Sequence, residues 1–268
     1  MTDLGSQLAS AKVYELSQPL HDGMPFSPSH PGFRRVLHRR HGDVVREDGG
    51  SAAADLVVMG THSGTHIDAL AHVSQDGRLH GGRDAADAQA GGSFTEHGID
   101  TLGPLVGSGV LVDVAAAAGV EALAGGEAVG REQLEAAERF GGEAVRAGDV
   151  VLVRTGWARN YDAPESFIGR DSGVPGVDVS GADWLVARGA RATGSDTLAY
   201  EQILPGQGHR TLPVHSLLLV ANGIPIIEML NLEQLSRDGV YRFAFVLAPL
   251  RLLGATGSPV APLAFVQA

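Results

Sequence analysis

Four metal-ligating side chains crowd one eleven-residue window, His62-Ser63-Gly64-Thr65-His66-Ile67-Asp68-Ala69-Leu70-Ala71-His72, in a chain with eleven histidines in 268 residues. Imidazole nitrogen and carboxylate oxygen are the ligand set of a divalent ion of the zinc or manganese type. The window constrains the backbone because no single regular element can gather it. A strand puts all four on one face, since their spacings are even. At about 3.3 Å per residue it also sets His62 and His72 roughly 33 Å apart. A helix pairs His62 with His66 and Asp68 with His72 as i,i+4 neighbours, but at about 100° per residue it turns the two pairs to different faces. The segment must bend.

The expected bend is a strand–turn–helix corner. Asp55 to Thr61 reads as a buried apolar strand, Ser63-Gly64-Thr65 as turn chemistry, and Ile67 to Val73 as the first turns of a helix. Such a corner brings His62, His66 and Asp68 around one ion and holds His72 nearby. Three protein ligands leave a position for water, which is the catalytic pattern rather than the structural one.

Other chemistries are excluded by what the chain lacks. There is no cysteine, so no thiol nucleophile, thiolate ligand or disulfide. Lys12 is the sole lysine, which leaves no G-x-x-x-x-G-K-[ST] loop and disfavours Schiff-base chemistry. No G-x-S-x-G elbow and no G-x-G-x-x-G turn after a strand occur. A net charge of −11 disfavours nucleic acid as a partner. The basic stretch Arg34-Arg35 and Arg39-Arg40 reads as a solvated strand face. No run of 18 apolar residues and no signal-peptide pattern is present, so the expectation is a cytoplasmic protein without a membrane span.

Strand signals at 11–17, 33–40, 55–61, 110–114, 149–155, 192–196, 224–229, 241–253 and 260–266 alternate with a few helical stretches. The helices are expected at 131–140, from Ser180 to Arg188, and from His215 to Asn222 with Gly223 closing the last. A short helix is also expected near 84–90. No linker divides the chain. The expectation is one mixed α/β domain over residues 1–268. His215 on a helix and Glu228 on the following strand meet at one end of the sheet. A buried Glu228 within Ile226-Ile227-Glu228-Met229 requires a partner, either a cation or a histidine.

Together these pieces resemble the cyclase family of metal-dependent hydrolases, which includes bacterial kynurenine formamidases and isatin hydrolases. The likeness runs through Leu16-Ser17-x-Pro19-Leu20, Gly23-Met24-Pro25, the His62-to-His72 window, Gly194-Ser195-Asp196, His215 and Glu228 with Leu230-Asn231-Leu232, and Gly257-Ser258-Pro259. It implies a β/α/β sandwich with a barrel-like sheet, assembled as a homodimer or homotetramer. It implies one or two zinc or manganese ions: His62, His66 and Asp68 on the first, Asp68 bridging to a second held by His215 and Glu228. His72 is then the proton shuttle. Phe26-Ser27-Pro28-Ser29-His30-Pro31-Gly32-Phe33 occupies the early loop that contacts substrate in the family, which makes Phe26, His30 and Phe33 the candidate substrate contacts. The expected reaction is hydrolysis of a carbon–nitrogen amide bond, cyclic amide or formamide, in a small molecule. A lactonase or cyclase/dehydratase, a catalytically inactive metal- or ligand-binding protein, and a purely structural metal are the rival readings.

Overall fold

A computed structural model describes residues 3–267 of the chain. The strands that matter for the site are β1 (Lys12–Glu15), β2 (Arg34–Arg39), β3 (Ala54–Val58), β4 (His66–Asp68), β5 (Leu105–Asp113), β6 (Val150–Arg154), β7 (Ala192–Ser195), β8 (Ile226–Glu228), β9 (Arg242–Leu247), β10 (Gly257–Pro259) and β11 (Leu263–Val266). Nine of them form one curled sheet in the order β1-β11-β9-β5-β6-β7-β8-β4-β10. Its centre, β5 to β8, is parallel, and every pairing outside it is antiparallel. The architecture is mixed α/β with a barrel-like sheet.

The strand β6 is apolar from Val150 to Val153, because both of its faces are covered. In β6, Val151 and Val153 point to one side, where they pack with α1 (Arg131–Gly141), α2 (Val179–Ala187) and the helical run that begins at Pro213. Val150 and Leu152 point to the other side. There the sheet curls over its own core, gathering Leu16, Ile67, Leu111, Ile227, Phe243 and Phe245. A third apolar cluster, with Met24, Phe33, Trp157, Phe167 and Met229, lies beneath the loops at one end.

Thr65 fastens the curl. Its hydroxyl donates to the Met229 carbonyl at 2.6 Å and accepts from the Gln18 backbone N–H at 2.8 Å. Its own carbonyl accepts from Val260 N at 3.0 Å. One residue thus joins the chain beyond β1, the end of β8 and the chain beyond β10.

Several expectations change. The Ile67–Val73 segment is not helical: His66–Asp68 is a strand, and a turn at 69–72 follows, closed by His72 N on Ala69 O at 2.9 Å. Pairing decides this, because β4 has a strand on each side. The strand expected at 55–61 is Ala54–Val58 and is exposed rather than buried. Among the described residues it pairs only with β2, and the hairpin presents Val36, Leu56 and Val58, each more than half exposed. The basic residues of β2 are exposed as expected. The late strand ends at Leu247, well before 253. Residues 84–90 form a turn leading into a two-residue ladder, not a helix. The helix expected from His215 begins two residues earlier, at Pro213, and widens into a π-helical run over Ser216–Ala221. Gly223, at φ +65°, closes it. Among the described residues no helix is long and apolar enough to cross a membrane.

Candidate metal centre

The site lies at the carboxyl end of β8, the edge at which open α/β sheets bind ligands. In β4 the side chains alternate: Ile67 is fully buried in the core inside the curl, which sends His66 and Asp68 together to the opposite face. Register completes the arrangement. His66 stands opposite Glu228 of β8, and Asp68 opposite Gly257 of β10. His62 and His72 bend back onto that face from the turns before and after β4. His215 comes from the end of the short helix before β8.

The result is two groups of ligand-spaced atoms that share one carboxylate. His62, Asp68 and His72 each bring a ligand atom within 4.8 Å of the others, as do Asp68, His215 and Glu228. His66 Nε2 lies between them, 3.5 Å from Asp68 Oδ1 and 3.3 Å from Glu228 Oε2. Sequence spacing put His66 with His62 and Asp68, and His72 to the side. The geometry instead gathers His72 with that pair and sets His66 beside both groups.

Partners on the far side of each ring orient the imidazoles, as is usual around metals. His66 Nδ1 faces the Gly64 carbonyl at 2.8 Å, leaving Nε2 toward the carboxylates. His215 Nδ1 meets Glu201 Oε1 at 2.6 Å, and its Nε2 faces Glu228 Oε1 at 3.2 Å. His62 is held between Asp68 Oδ1 at 2.7 Å and Thr256 Oγ1 at 2.9 Å. A Cβ on Gly257 would meet the His62 ring at 2.6 Å, so this close approach requires glycine. His72 has no such partner among the described residues; its ring stacks on His62 at 3.9 Å and opens to the cavity.

Glu201 and Thr256 are missing from the residues that sequence reasoning singled out. Glu201 carried a signal of the same kind as Glu228, an acid within an apolar stretch, Leu198-Ala199-Tyr200-Glu201. Thr256 carried none beyond its place before Gly257-Ser258-Pro259. Two left-handed residues that are not glycine flank the acids: Tyr200 precedes Glu201 and Met229 follows Glu228, both at φ 56°. Such backbone costs about 1–3 kcal/mol and concentrates at functional sites.

The charges are interlocked. Burial pushes Asp68 up, but His72, His62 and His66 outweigh it and hold the carboxyl far below its ordinary range. Burial works against His215⁺, yet Glu201 and Glu228 prevail and raise it to about 10. His66 is raised in the same sense, with Glu228 outweighing burial. His72 goes the other way: burial, with His62 and His215 nearby, outweighs Asp68 and lowers it to about 4. Even so, two buried atoms of this cluster find no hydrogen-bond partner, His66 Nε2 and Asp68 Oδ2; among the described residues the other such atom is Trp184 Nε1, in the core. An unpaired buried polar atom costs about 1–3 kcal/mol, more if charged. Both atoms lie in the cluster around the Asp68 carboxylate, where a divalent cation would satisfy them. The donor set and these orphans fit such an ion.

A cavity of about 350 Å³ opens on this cluster, lined by His30, His62, His66, His72, His215 and Glu228 among others. Of the three proposed substrate contacts, His30 faces it, stacked on His62 at 5.2 Å. Phe26 and Phe33 do not line it. Phe33 is buried in the third apolar cluster, and the Phe26 ring packs over Gly32. Asp196 is buried nearby but holds backbone: it accepts from Thr155 N, Thr155 Oγ1 and Gly156 N, tying the end of β6 to the end of β7. Burial raises it to about 6 despite those bonds.

Comparison with known proteins gives the chain its relatives. A family model described as "Putative cyclase" matches residues 14–202. The isatin hydrolase of Roseibium aggregatum is 27% identical over 99% of this chain and 97% of its own length. A kynurenine formamidase of Sphingopyxis alaskensis is 28% identical over 93% of this chain and 96% of its own. The crystal structure of a novel cyclase superposes with a TM-score of 0.84 at 26% identity, covering 97% of this chain and 90% of that one. With the matched segment spanning more than half of its length, this chain belongs to the cyclase family.

Proposed function

We propose that this protein is a metal-dependent hydrolase that cleaves a carbon–nitrogen amide bond, in a cyclic amide or a formamide, of a small molecule. The observation that carries the reading is the Asp68 carboxylate shared by two ligand-spaced groups, with Asp68 Oδ2 and His66 Nε2 buried and unpartnered between them. The two named relatives, an isatin hydrolase and a kynurenine formamidase, support amide hydrolysis.

His62, His66, Asp68, His215 and Glu228 hold one or two ions, and mixed imidazole and carboxylate ligands suit zinc or manganese. A divalent ion there supplies a water acidified from 15.7 toward about 7 and a polarised carbonyl. The remaining chemistry belongs to the chain. His72 is neutral at pH 7, because the crowded site lowers it to about 4, and it takes the proton of the attacking water. As the carbon–nitrogen bond breaks, the same imidazole returns that proton to the leaving nitrogen. A formamide gives formic acid and an amine, and a cyclic amide opens to one molecule that carries both a carboxylic acid and an amine. His72 suits a shuttle better than a ligand, since it alone of the window's histidines lacks an orienting partner among the described residues. His30 closes the cavity above it and contacts substrate.

A single domain over residues 1–268 carries this activity in the cytoplasm, without nucleic acid, as a homodimer or homotetramer. The exposed apolar β2–β3 hairpin supports the assembly.

His72→Ala decides the central role. Turnover falls about 10²–10⁴-fold while metal content stays at that of the parent. If metal is lost with turnover, His72 is a ligand, in line with its spacing to His62 and Asp68. Matched lactam and lactone substrates separate an amidase from a lactonase.

A further inference from the structure

A second cavity, of about 240 Å³, adjoins the metal cavity and shares Ser27, Ser29, Leu198, Ala199 and His209 with it. Its other walls are almost wholly apolar: Ile168, Val174 and Ile203. Ligand sites for molecules larger than a fragment span about 300–1,000 Å³. The metal chamber stands at the low end of that range, and the two together lie well inside it. Small heads that bring a carbonyl to the metal fill the first chamber alone.

Arg170 sits at the rim of the second chamber. It is exposed, and no ion pair or side-chain hydrogen bond engages its guanidinium among the described residues. The Arg170 backbone is held: left-handed Gly169 precedes it at φ +62°, and its carbonyl accepts from Gly206 N at 3.0 Å. An unpaired cation lining an apolar chamber, in a chain of net charge −11, is a counter-charge for an anion.

We propose that this chamber is a substrate subsite that takes an apolar arm leading away from the scissile amide and ending in an anionic group, a carboxylate, at Arg170. The proposal rests on the amide-hydrolase reading of the adjoining site. The substrate is then an elongated amphipathic amide rather than a compact ring.

The test uses the metal-loaded full chain and formanilides with para hydrogen, methyl, propyl, pentyl or 3-carboxypropyl groups. Binding of the matching anilines is followed in parallel by calorimetry. The expected result is a rise in kcat/KM of roughly fourfold per methylene until the chamber is full. The carboxylate-ended arm outperforms its neutral isostere by about threefold, and Arg170→Ala abolishes that ratio. Flat or falling values along the series overturn the subsite, and a carboxylate preference that survives Arg170→Ala removes Arg170 from it. If no formanilide is cleaved, the hydrolase reading fails separately, and the anilines still decide. Tighter binding with arm length upholds the subsite, and uniform binding overturns it.

Discussion

Glu201 stands fourteen residues before His215 and never faces the cavity directly, yet it sets what His215 can do. Its carboxylate accepts a hydrogen bond from Nδ1–H, so Nε2 is the atom left for a metal. It also accepts from the backbone N–H groups of Val214 and His215, which locks the helix end against it. Glu201→Gln keeps the shape and removes the charge. Metal affinity then falls about 10–100-fold, measured by competition with a chromophoric chelator. An unchanged affinity would show that His215 needs no such partner. Gly257 acts by what it lacks. Gly257→Ala drives a methyl into the His62 ring, so metal occupancy falls while the fold, read by circular dichroism, persists. Retained occupancy would mean that His62 is not a ligand.

At the scale of elements, β4 converts a dense motif into a site. Three residues suffice because Ile67 anchors the strand in the core while its neighbours turn to the metal face. Ile67→Ala costs about 2–5 kcal/mol of unfolding free energy and weakens metal binding in the same variant. Denaturant unfolding and metal titration check both; a loss of stability with intact affinity would uncouple anchor from site. The window's chemistry was legible from ligand type, and so was the need for a bend. The conformation was not, because Ile67 to Val73 is too short for periodicity to separate strand from helix. The partners that choose strand, β8 and β10, lie far along the chain. For the same reason spacing could not reveal that His72 comes closer to His62 and Asp68 than the window suggested. The strand β6 was legible because double-sided burial writes an apolar run, whereas β5 was legible only in its second half, since Gly107-Ser108-Gly109 breaks the run before Val110. β3 carries a similar run, Leu56-Val57-Val58, yet is exposed, since nothing local distinguishes a strand covered by its own chain from one left open.

Across the whole molecule, the buried charges tie stability to pH and metal. In the metal-free protein His215 is raised from its ordinary 6.5 to about 10. Its stabilising contribution is complete below about pH 6.5 and is lost as pH rises toward 10. His72 is lowered to about 4, so charging it costs stability as pH falls from about 6.5 toward 4. Asp68 and Glu228, both held down, lose their contribution as pH falls through the carboxylate range. The metal-free Tm therefore peaks near neutrality and declines on both sides. With metal bound, the ion replaces the protons on His215 and His66, and the alkaline decline flattens. Thermal melts from pH 4 to 10, with and without ion, test this; a metal-free Tm that rises steadily from pH 7 to 9 would contradict it.

The fastening at Thr65 also fixes an order of events during synthesis. Its bond to Met229 spans 164 residues, and the His62 bond to Thr256 spans 194. The window leaves the ribosome early, but both strands that flank it and two of its acidic or imidazole partners emerge last. An ion held by the whole cluster would therefore load late, and a nascent chain halted before β8 would leave the ribosome without Glu228.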